Sequence, residues 1–289
     1  MKRIGSFAIV ASVIVLAAIA GGCGGGNEGS KAETGGATTE GAAKGSIKTP
    51  SGLIANGKLI FCSDISYPPE EFIKGGKPVG SDIDIGNDVA RRMGLKATYD
   101  NTGFDGIIAA LQSRKCDAII SGMNDTPERA KQVAFVDYLN VGQSLLAKKG
   151  ALKVSTTMDL CGKDAGAQIA TTNLDTLKVF SKKCTDAGKP AIKITPFKED
   201  PLGVTSLTTG KIDTYESDSP PAAYYVAQSK GALELVGPQI DPIPVGIAVR
   251  RNSTELKAAI KKAIDGMYGD GTIMKILGRW QMTKFALKK

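Results

Sequence analysis

The sequence predicts an α/β protein built from two similar units, and three observations support this. From residue 54 onward, short apolar segments of strand length alternate with amphipathic segments of helical period. The alternation occurs in two successive sets, which indicates mostly parallel sheets covered by helices. The composition, with 42% apolar and 23% charged residues, is that of a soluble globular protein. Two such units would leave a cleft between them, where small ligands tend to bind.

The first unit has the order strand, helix, strand, helix, strand. Lys58–Ser63 is short and apolar, and it is the first predicted strand. The helix at 82–93 has one apolar face, and Gly94 after it is typical of a helix end. The other elements predicted for this unit are a strand at 96–99, a helix at 105–113 and a strand at 116–120.

The second unit repeats this alternation, and two helices follow it. Its predicted strands are at 164–169, 191–195, 211–216 and 234–236, and its predicted helices are at 173–184, 203–208 and 220–228. The next helix has an apolar face formed by Leu256, Ala259, Ile260, Ala263, Ile264 and Met267. A final short helix is expected to reach Trp280.

Residues 1–22 are predicted to be a signal peptide. Lys2 and Arg3 form a basic start, and residues 7–20 are an uncharged apolar run. That run is too short to span a bilayer comfortably, which favours a secretory signal over the alternative of a retained membrane anchor.

Cys23 is the predicted site of lipid attachment. The segment Ala20-Gly-Gly-Cys23 resembles a bacterial lipoprotein box, although Ala20 stands where the pattern usually has Leu. Cleavage by ordinary signal peptidase after Ala20 is the alternative. Residues 23–53 would then be the lipidated cysteine and a flexible linker, because they contain almost no large apolar side chains. The expected location is the outer side of the cell membrane.

The composition excludes several classes of function. The chain has no histidine, which removes Ser-His-Asp and Cys-His catalysis and any His-ligated metal site. Its cysteines form no C-x-x-C pair, so neither a metal nor a cofactor is predicted. The formal charge is +8, but the basic residues are scattered along helices and no basic run is interleaved with aromatic residues. Nucleic acid is therefore not an expected partner.

The segment from Ser121 to Arg129 is the most informative candidate site. It follows a predicted strand, Thr126 suits a helix cap, and Pro127 suits the first helical position. Backbone N–H groups and the Arg129 guanidinium would then meet at the carboxyl end of a strand. Such a spot suits a carboxylate ligand. An exposed arginine on an ordinary helix is the alternative.

Several segments, in the same order along the chain, resemble the family 3 extracellular solute-binding proteins, the amino-acid receptors of ABC importers. The resemblance covers nearly all of residues 55–283. One segment departs from the family, since Ser81 stands where the family has an aromatic residue. The similar segments are Asp64–Pro69, Gly80–Ile85, Phe104–Gly106, Leu111–Ser113, Ser121–Arg129, Ala170–Thr172, Lys211–Asp213 with Asp218–Pro220, and Gly269–Thr272 with Trp280.

The resemblance implies a two-lobed periplasmic-binding-protein-like fold of type II, with the ligand in the cleft. Lobe 1 would comprise residues 54–141 and 247–289, and lobe 2 residues 142–246. The chain would cross between the lobes near residues 140–144 and 240–246, which would act as hinges. Closing of the lobes on the ligand would be what the membrane permease recognises. The protein is expected to act as a monomer.

The resemblance also implies roles for individual residues. Arg129 would bind the α-carboxylate of an amino acid, helped by N–H groups near Asn124 and Thr172. Asp218, with the Gly122 carbonyl, would accept hydrogen bonds from the α-ammonium group. The implied ligand-binding residues are Asp64, Tyr67, Phe104, Ser121, Gly122, Met123, Asn124, Arg129, Gln168, Thr171, Thr172 and Asp218.

The expected ligand is a polar L-amino acid, with a preference for cationic or amide side chains such as arginine, lysine, histidine or glutamine. Asp64 would lie at the side-chain end of the cleft, with Glu70 and Glu71 in the same loop. Tyr67 and Phe104 would flank the ligand side chain. The alternatives are plain core aromatics, a loop-capping Asp64 and acids that face solvent.

The remaining cysteines suit an oxidising exterior. A disulfide between Cys161 and Cys184 is expected, since both belong to one lobe. Cys62 and Cys116 are placed on neighbouring strands about three residues out of step. This offset corresponds to about 10 Å along a strand, too far for a bridge, so free buried thiols are expected there.

Two further functions remain open from the sequence. One is an enzyme on the same fold, such as a cyclohexadienyl or arogenate dehydratase, for which Glu70, Glu71 or Glu216 would supply the acid or base. The other is a ligand-sensing module for a membrane partner. A transport receptor with no catalytic residue is the favoured function.

Overall fold

The computed structural model describes residues 46–288 of this chain. The predicted signal peptide and Cys23 lie outside the described residues, as does the linker up to residue 45. No helix within 46–288 combines the length and apolar character needed to cross a lipid bilayer.

The described part of the chain alternates strands and helices, as predicted. The strands are β1 Lys58–Ser63, β2 Phe72–Lys74, β3 Lys77–Val79, β4 Lys96–Asn101, β5 Ala118–Ile119, β6 Val133–Lys148, β7 Asp164–Gln168, β8 Lys193–Phe197, β9 Thr214–Asp218 and β10 Leu233–Arg250. The helices are α1 Ser81–Arg92, α2 Ile107–Gln112, α3 Pro127–Ala130, α4 Thr172–Asp186, α5 Asp200–Thr208, α6 Ser219–Gln228, α7 Thr254–Gly269 and α8 Thr272–Arg279.

One hydrogen-bonded sheet connects eight of the strands, in the order β4-β1-β5-β10-β6-β9-β7-β8. The pairs β1–β4, β1–β5, β7–β8 and β7–β9 are parallel, as expected for strands joined by helices. The central strands β6 and β10 are antiparallel to each other. We call β4, β1 and β5 with α1, α2, α7 and α8 the first half of the molecule. The second half comprises β9, β7 and β8 with α4, α5 and α6.

The two central strands were largely missed by the sequence analysis. No strand was predicted at β6, and only residues 234–236 of β10 were predicted. These strands are 16 and 18 residues long, well beyond the usual strand length, and they run through both halves of the sheet. Their pairing is irregular between Val236 and Ile240, between Ile240 and Ile243, and between Val245 and Gly246. These irregularities fall beside the segments predicted as hinges.

Each half of the molecule has apolar side chains on both faces of its sheet. In the first half, one face packs against α1, α7 and α8, through residues such as Phe61, Val89 and Ile260. The other face packs against α2 through Ile107 and Leu111. In the second half, α4 covers one face through Leu177, and the opposite face forms a separate cluster that includes Tyr215. The described residues therefore contain two pairs of cores flanking the shared central strands.

The expectation of free thiols at Cys62 and Cys116 is wrong, because the two residues form a disulfide with their Cα atoms 5.6 Å apart. Cys116 was predicted to be the first residue of a strand. The strand begins only at Ala118, and Cys116 lies in the bend before it, so the rise along a strand does not set the distance. Cys161 and Cys184 are also bonded, across 5.5 Å between Cα atoms.

The linker prediction also needs correction at its end. Residues 46–53, counted as linker, lie against the body of the protein. The Ile47 N–H donates to the Arg92 carbonyl at 2.9 Å, and the Ile47 side chain is buried in the core of the first half. Thr49 donates to the Met93 carbonyl at 2.9 Å. The low apolar content of residues 46–53 gave no indication of this contact. One isoleucine and a few hydrogen bonds are enough to hold a short segment.

Both disulfides are expected to be complete in the folded protein. In a Cys23→Ala variant, thiol titration of the denatured protein should give no free thiol without reductant. The Cys161→Ala/Cys184→Ala variant should lose about 3 kcal/mol of unfolding free energy in guanidinium titrations, because the bridge closes a chain segment of 23 residues. If the Cys161→Ala/Cys184→Ala variant gives no free thiol but unfolds at the same guanidinium concentration as wild type, this stabilisation would be contradicted.

Candidate ligand-binding site

A small cavity lies where strands of both halves of the sheet end. Its walls come from residues at or after the carboxyl ends of β1, β4, β5, β7 and β9, together with the first turn of α4. This is the edge at which α/β sheets usually bind ligands. The lining residues are Asp64, Tyr67, Glu71, Phe104, Ser121, Gly122, Asn124, Gln168, Thr171, Asn173 and Asp218.

Ser121 connects two of the loops that form this wall. Its hydroxyl donates to Glu71 Oε1 at 2.8 Å and accepts from the Asp64 N–H at 2.9 Å. The next residue, Gly122, donates its N–H to Asp82 Oδ2 at 2.8 Å. Gly122 has φ +49°, and a Cβ there would lie 3.2 Å from the Tyr67 ring. Glycine is therefore required for both the backbone conformation and the close approach of the tyrosine.

Arg129 lies beside the cavity rather than in its wall. The short helix α3 begins as the sequence predicts, with Thr126 capping it and Pro127 in its first turn. The Arg129 guanidinium donates to the carbonyls of Asn124 at 2.9 Å and Ala170 at 3.0 Å. It also packs 5.2 Å from the centroid of the Phe104 ring, a cation–π contact. The side chain is buried, and its position is fixed from several directions.

Asn124 and the start of α4 form the wall next to Arg129. Asn124 Oδ1 accepts from Thr172 Oγ1 at 2.8 Å. Its Nδ2 is buried and has no acceptor among the described residues. Thr171 caps α4, since its hydroxyl accepts from the Leu174 N–H at 3.2 Å. Unpaired helix N–H groups and a free amide donor at one spot suit an anionic ligand group.

Asp218 forms the opposite wall. Its N–H donates to the Tyr67 hydroxyl at 3.2 Å. With the Asn173 amide turned so that its nitrogen faces the carboxylate, Asn173 Nδ2 donates to Asp218 Oδ1 at 3.0 Å. Asp218 is the last residue of β9, and β9 is shifted by about two residues from the predicted strand at 211–216. The carboxylate is therefore held by the strand itself rather than by a following loop.

A second acidic wall is formed by Asp64 and Glu71. Asp64 accepts from Ser66 Oγ at 2.8 Å and from Gln168 Nε2 at 2.6 Å. Both acids are buried, with exposed fractions of 4% for Asp64 and 0% for Glu71. The alternative that these acids face solvent is therefore wrong, and so is that alternative for Glu70, which is 2% exposed.

Burial dominates the electrostatics of this site. It raises the pKa of Asp64, and it raises the pKa of Glu71 well above the ordinary glutamate value, with neighbouring Asp82 and Glu70 adding to the rise. It raises the pKa of Asp218 to about 7, against the opposing effect of the Arg129 guanidinium. Burial also lowers the pKa of Arg129, which Asp218 counteracts. The cavity wall carries carboxyl groups on both sides and no lysine or arginine.

The structure brings most of the predicted site residues together. Thr172 and Arg129 lie next to the cavity, and the others line it, apart from Met123. The Met123 side chain is buried in the first-half core, and its carbonyl accepts from the Gly246 N–H at 3.0 Å. Within residues 46–288, no group of three or more cysteine, aspartate or glutamate side chains is arranged to hold a metal ion.

Two cavity residues were absent from the predicted set. Asn173 follows Thr172 in the first turn of α4, so a helix predicted to start at the cleft was the available signal. Glu71 was noted only as part of an acidic loop and as a candidate for catalysis. Asp82, which holds Gly122 in place, also accepts from the Tyr138 hydroxyl at 2.6 Å. It lies in the segment Gly80–Ile85, whose resemblance to the family had given it no role.

A fold of this kind, with a polar cavity between two halves of a sheet, defines a class of solute-binding proteins. The family model described as bacterial extracellular solute-binding proteins, family 3, matches residues 59–283. The chain therefore belongs to this family, and its fold is the periplasmic-binding-protein fold of type II that the sequence predicted.

Several individual relatives are similar to this chain over about three quarters of its length. The chain is 31% identical to the ABC transporter arginine-binding protein 1 of Escherichia coli (strain K12), over 79% of this chain and 93% of that protein. It is 30% identical to an L-arginine-binding protein of Pseudomonas aeruginosa, over 75% and 85% of the two chains. The solved structure of an ancestral arginine-binding protein bound to arginine has a TM-score of 0.73 and 37% identity, over 78% and 98%. That of an ancestral arginine-binding protein bound to glutamine has a TM-score of 0.73 and 35% identity, over 79% and 99%.

Asp218 is expected to cost stability at neutral pH. Its folded-state pKa of about 7 exceeds the unfolded value of about 3.9, so the folded protein binds more protons between these values and loses stability as pH rises through them. Without added ligand, Asp218→Asn should therefore raise the unfolding free energy at pH 8 by about 1 kcal/mol or more. Guanidinium titrations at pH 4 and pH 8 measure this. The exposed Asp100→Asn variant is the control, and an equal effect of Asp218→Asn at both pH values would contradict the prediction.

Proposed function

We propose that this substrate-binding protein of an amino-acid ABC transporter binds a cationic L-amino acid, with L-arginine as the first candidate. The observation that carries the proposal is the charge of the cavity wall. Acids line it on both sides, Asp64 and Glu71 in the first half and Asp218 in the second, while the nearest guanidinium lies just outside it. One acid serves the α-ammonium group of any amino acid. The remaining two favour a second positive charge on the ligand.

The α-carboxylate would bind at Arg129. Two of its N–H groups donate to the carbonyls of Asn124 and Ala170, and a guanidinium has five such donors. The buried Nδ2 of Asn124 and the N-terminus of α4, a helix of 15 residues, add donors and a favourable dipole. Charge-assisted hydrogen bonds of this kind are stronger than neutral ones.

The α-ammonium group would lie against Asp218, with the Gly122 carbonyl opposite. The pKa of Asp218, raised to about 7 by burial, indicates that its carboxylate lacks sufficient positive charge in its surroundings. A ligand cation would supply that charge and favour the ionised form. Burying both ligand charges is tolerable because each would meet a paired, hydrogen-bonded group.

The ligand side chain would extend towards Asp64 and Glu71. The Gln168 amide now donates to Asp64, and a guanidinium or ammonium group would offer stronger, charge-assisted bonds to the same oxygens. Tyr67 and Phe104 line the cavity, and aromatic rings suit an aliphatic stem or a planar guanidinium. An acidic side chain would be repelled, and an aliphatic one would leave these carboxyl groups without a charged partner.

The two halves would act as lobes that close on the ligand, turning about the irregular central strands. Hydrogen bonds across the cleft support this: Arg129 to the Ala170 carbonyl at 3.0 Å and Thr172 to Asn124 at 2.8 Å. Aromatic rings meet outside the cavity as well. Phe72 lies 5.7 Å from Tyr224 of α6, between ring centroids. A ligand held by both lobes favours the closed arrangement, which the permease would then recognise.

The alternative functions have less support. The curated relatives compared are named as binding proteins, in agreement with the prediction of a binding protein rather than an enzyme. One solved neighbour is an ancestral amino acid-binding protein described as a precursor of cyclohexadienyl dehydratase, with 33% identity and a TM-score of 0.71. Of the acids considered for catalysis, Glu71 lines the cavity, whereas Glu70 and Glu216 lie outside its wall.

A calorimetric screen of the purified protein tests the proposal. Arginine, lysine, glutamine, glutamate and leucine are compared, with thermal shifts as the first measurement. A ligand at about 100 times its dissociation constant adds roughly 2.7 kcal/mol to the unfolding free energy, which gives a clear shift. We expect arginine or lysine to bind most tightly. Tight binding of glutamate or leucine, with arginine and lysine inert, would refute the cationic ligand.

Arg129→Ala should abolish measurable binding of the amino acid while the protein stays folded. Removing one partner of a buried ion pair costs about 3–5 kcal/mol, which corresponds to roughly a hundredfold or more in affinity. Calorimetry gives the affinity, and circular dichroism checks the fold. The control is Arg91→Ala, which removes an exposed arginine paired with Asp88 on the surface. Binding by Arg129→Ala within tenfold of wild type would exclude it as the carboxylate site.

Asp64→Asn should weaken arginine much more than glutamine. The substitution keeps the side-chain shape and an acceptor for Ser66, but it removes the charge that a ligand cation would pair with. Losing one charge of such a pair costs about 2 kcal/mol or more, or roughly 30-fold in affinity. The affinity for glutamine should change by no more than about threefold, since a neutral amide needs only hydrogen bonds. Equal losses for both ligands, measured by calorimetry, would place the cation elsewhere.

We also propose that the protein is held at the membrane by a lipid on Cys23. Cys23→Ala should move the protein from the membrane fraction of cells to the soluble fraction, with ligand affinity unchanged. Immunoblotting of the fractions and intact-mass analysis measure the two expected effects. A wild-type mass that corresponds to an unmodified Cys23 would exclude lipidation, and an unchanged membrane fraction in the variant would indicate a retained signal anchor.

A further inference from the structure

Asp200 lies outside the cavity wall, yet it is one end of a hydrogen-bond chain that reaches the wall. It is the first residue of α5 and is 1% exposed. Its Oδ1 accepts from the Tyr215 hydroxyl at 2.8 Å and from the Ser217 hydroxyl at 3.1 Å. Its segment is not among those that resemble the family.

The available donors decide in which direction each hydrogen bond of this hydrogen-bond chain runs. The Ser217 hydroxyl gives its one proton to Asp200, so it can only accept from the Tyr67 hydroxyl, which lies 3.4 Å away. The Tyr67 oxygen in turn accepts from the Asp218 N–H at 3.2 Å. The chain of donors thus runs from the Asp218 backbone through Tyr67 and Ser217 to Asp200. It crosses from the second half to the first and back.

We infer that Asp200 is a positioning residue for the ligand-binding site, acting through Ser217 on the Tyr67 hydroxyl. The inference rests on the proposed function, since Tyr67 and Asp218 are walls of the cavity that would hold the amino acid. Asp200 fixes the proton of Ser217, Ser217 fixes the proton of Tyr67, and the tyrosine is then held against the second half in the closed arrangement. Without the acceptor at Asp200, the hydroxyl of Ser217 can turn and donate to Tyr67, which reverses the chain.

Asp200 also acts on Asp218 through its charge. Burial raises the pKa of Asp218 to about 7, the Arg129 charge lowers it, and the Asp200 charge raises it further. Tyr67 contacts Asp218 as well, through the backbone N–H. Glu70 and Glu216 are the other acids that interact electrostatically with Asp218. Removing the charge of Asp200 should therefore lower the pKa of Asp218. The pH at which ligand affinity falls to half its maximum would then move towards acid, because the α-ammonium group needs the Asp218 carboxylate.

Three variants separate these effects. Ser217→Ala breaks the chain, Asp200→Asn keeps an acceptor but removes the charge, and Tyr215→Phe is the matched control. Tyr215→Phe removes the other hydrogen bond to the same Oδ1 and leaves the chain to Tyr67 intact. Calorimetry with L-arginine, at pH values from about 5 to about 9, measures affinity.

Ser217→Ala should weaken binding by about 3- to 10-fold, the effect of one hydrogen bond. Tyr215→Phe should bind within about twofold of wild type. Asp200→Asn should bind within about threefold at pH 8, with its affinity curve shifted to lower pH. In a double-mutant cycle, adding Ser217→Ala to Tyr67→Phe should cause little further loss of affinity. Both substitutions break the same chain of hydrogen bonds.

Two results would overturn the inference. One is that the affinity losses of Ser217→Ala and Tyr67→Phe are additive, and the other is that affinity depends on pH in Asp200→Asn as it does in wild type. A wild-type protein that binds no amino acid would instead refute the proposed function. The two failures are therefore distinguishable in one set of measurements.

Discussion

Burying several carboxyl groups around one cavity is the constraint on which the rest of this structure depends. Ionised acids at such depth repel one another and lose their hydration, so each must be hydrogen-bonded, protonated or paired with a cation. Hydrogen bonds from Ser121, Gln168 and Tyr138 provide part of that compensation. The Arg129 guanidinium provides a further part. The remainder is the electrostatic basis of the proposal that the ligand is positively charged.

The overall architecture could be predicted from the sequence because helix and strand periods are local signals. The strand at Lys58–Ser63 and the cap at Thr126 needed only neighbouring residues to be recognised. The long central strand at Val133–Lys148 could not be predicted, since its pairing is set by partners about a hundred residues away. The Cys62–Cys116 bridge was missed for a related reason. Its geometry depends on a bend before the strand, and a spacing rule assumes a straight one.

The site was predictable to the extent that it follows one motif. Arg129 and Asp218 lie at segments with recognisable composition, at the ends of predicted strands. Asp200 and Ser217 carry no such signal, because the role proposed for them depends on contacts between different elements of the fold. Asn173 is an intermediate case. The sequence predicted that it lies in the first turn of a helix, but it did not predict that its side chain lines the cavity. Residues that line the cavity are thus easier to predict than the residues that support them.

The aromatic contacts beside the cleft have an optical consequence. Trp280 is the one tryptophan of the sequence, and its ring lies 5.8 Å from that of Phe72, edge to face. Phe72 in turn touches Tyr224 on the opposite half. Separation of the two halves would remove Tyr224 from this stack and admit water beside the indole. If the halves move as proposed, the intrinsic fluorescence of the unmodified protein would report on the distance between them, with no added dye and no second tryptophan.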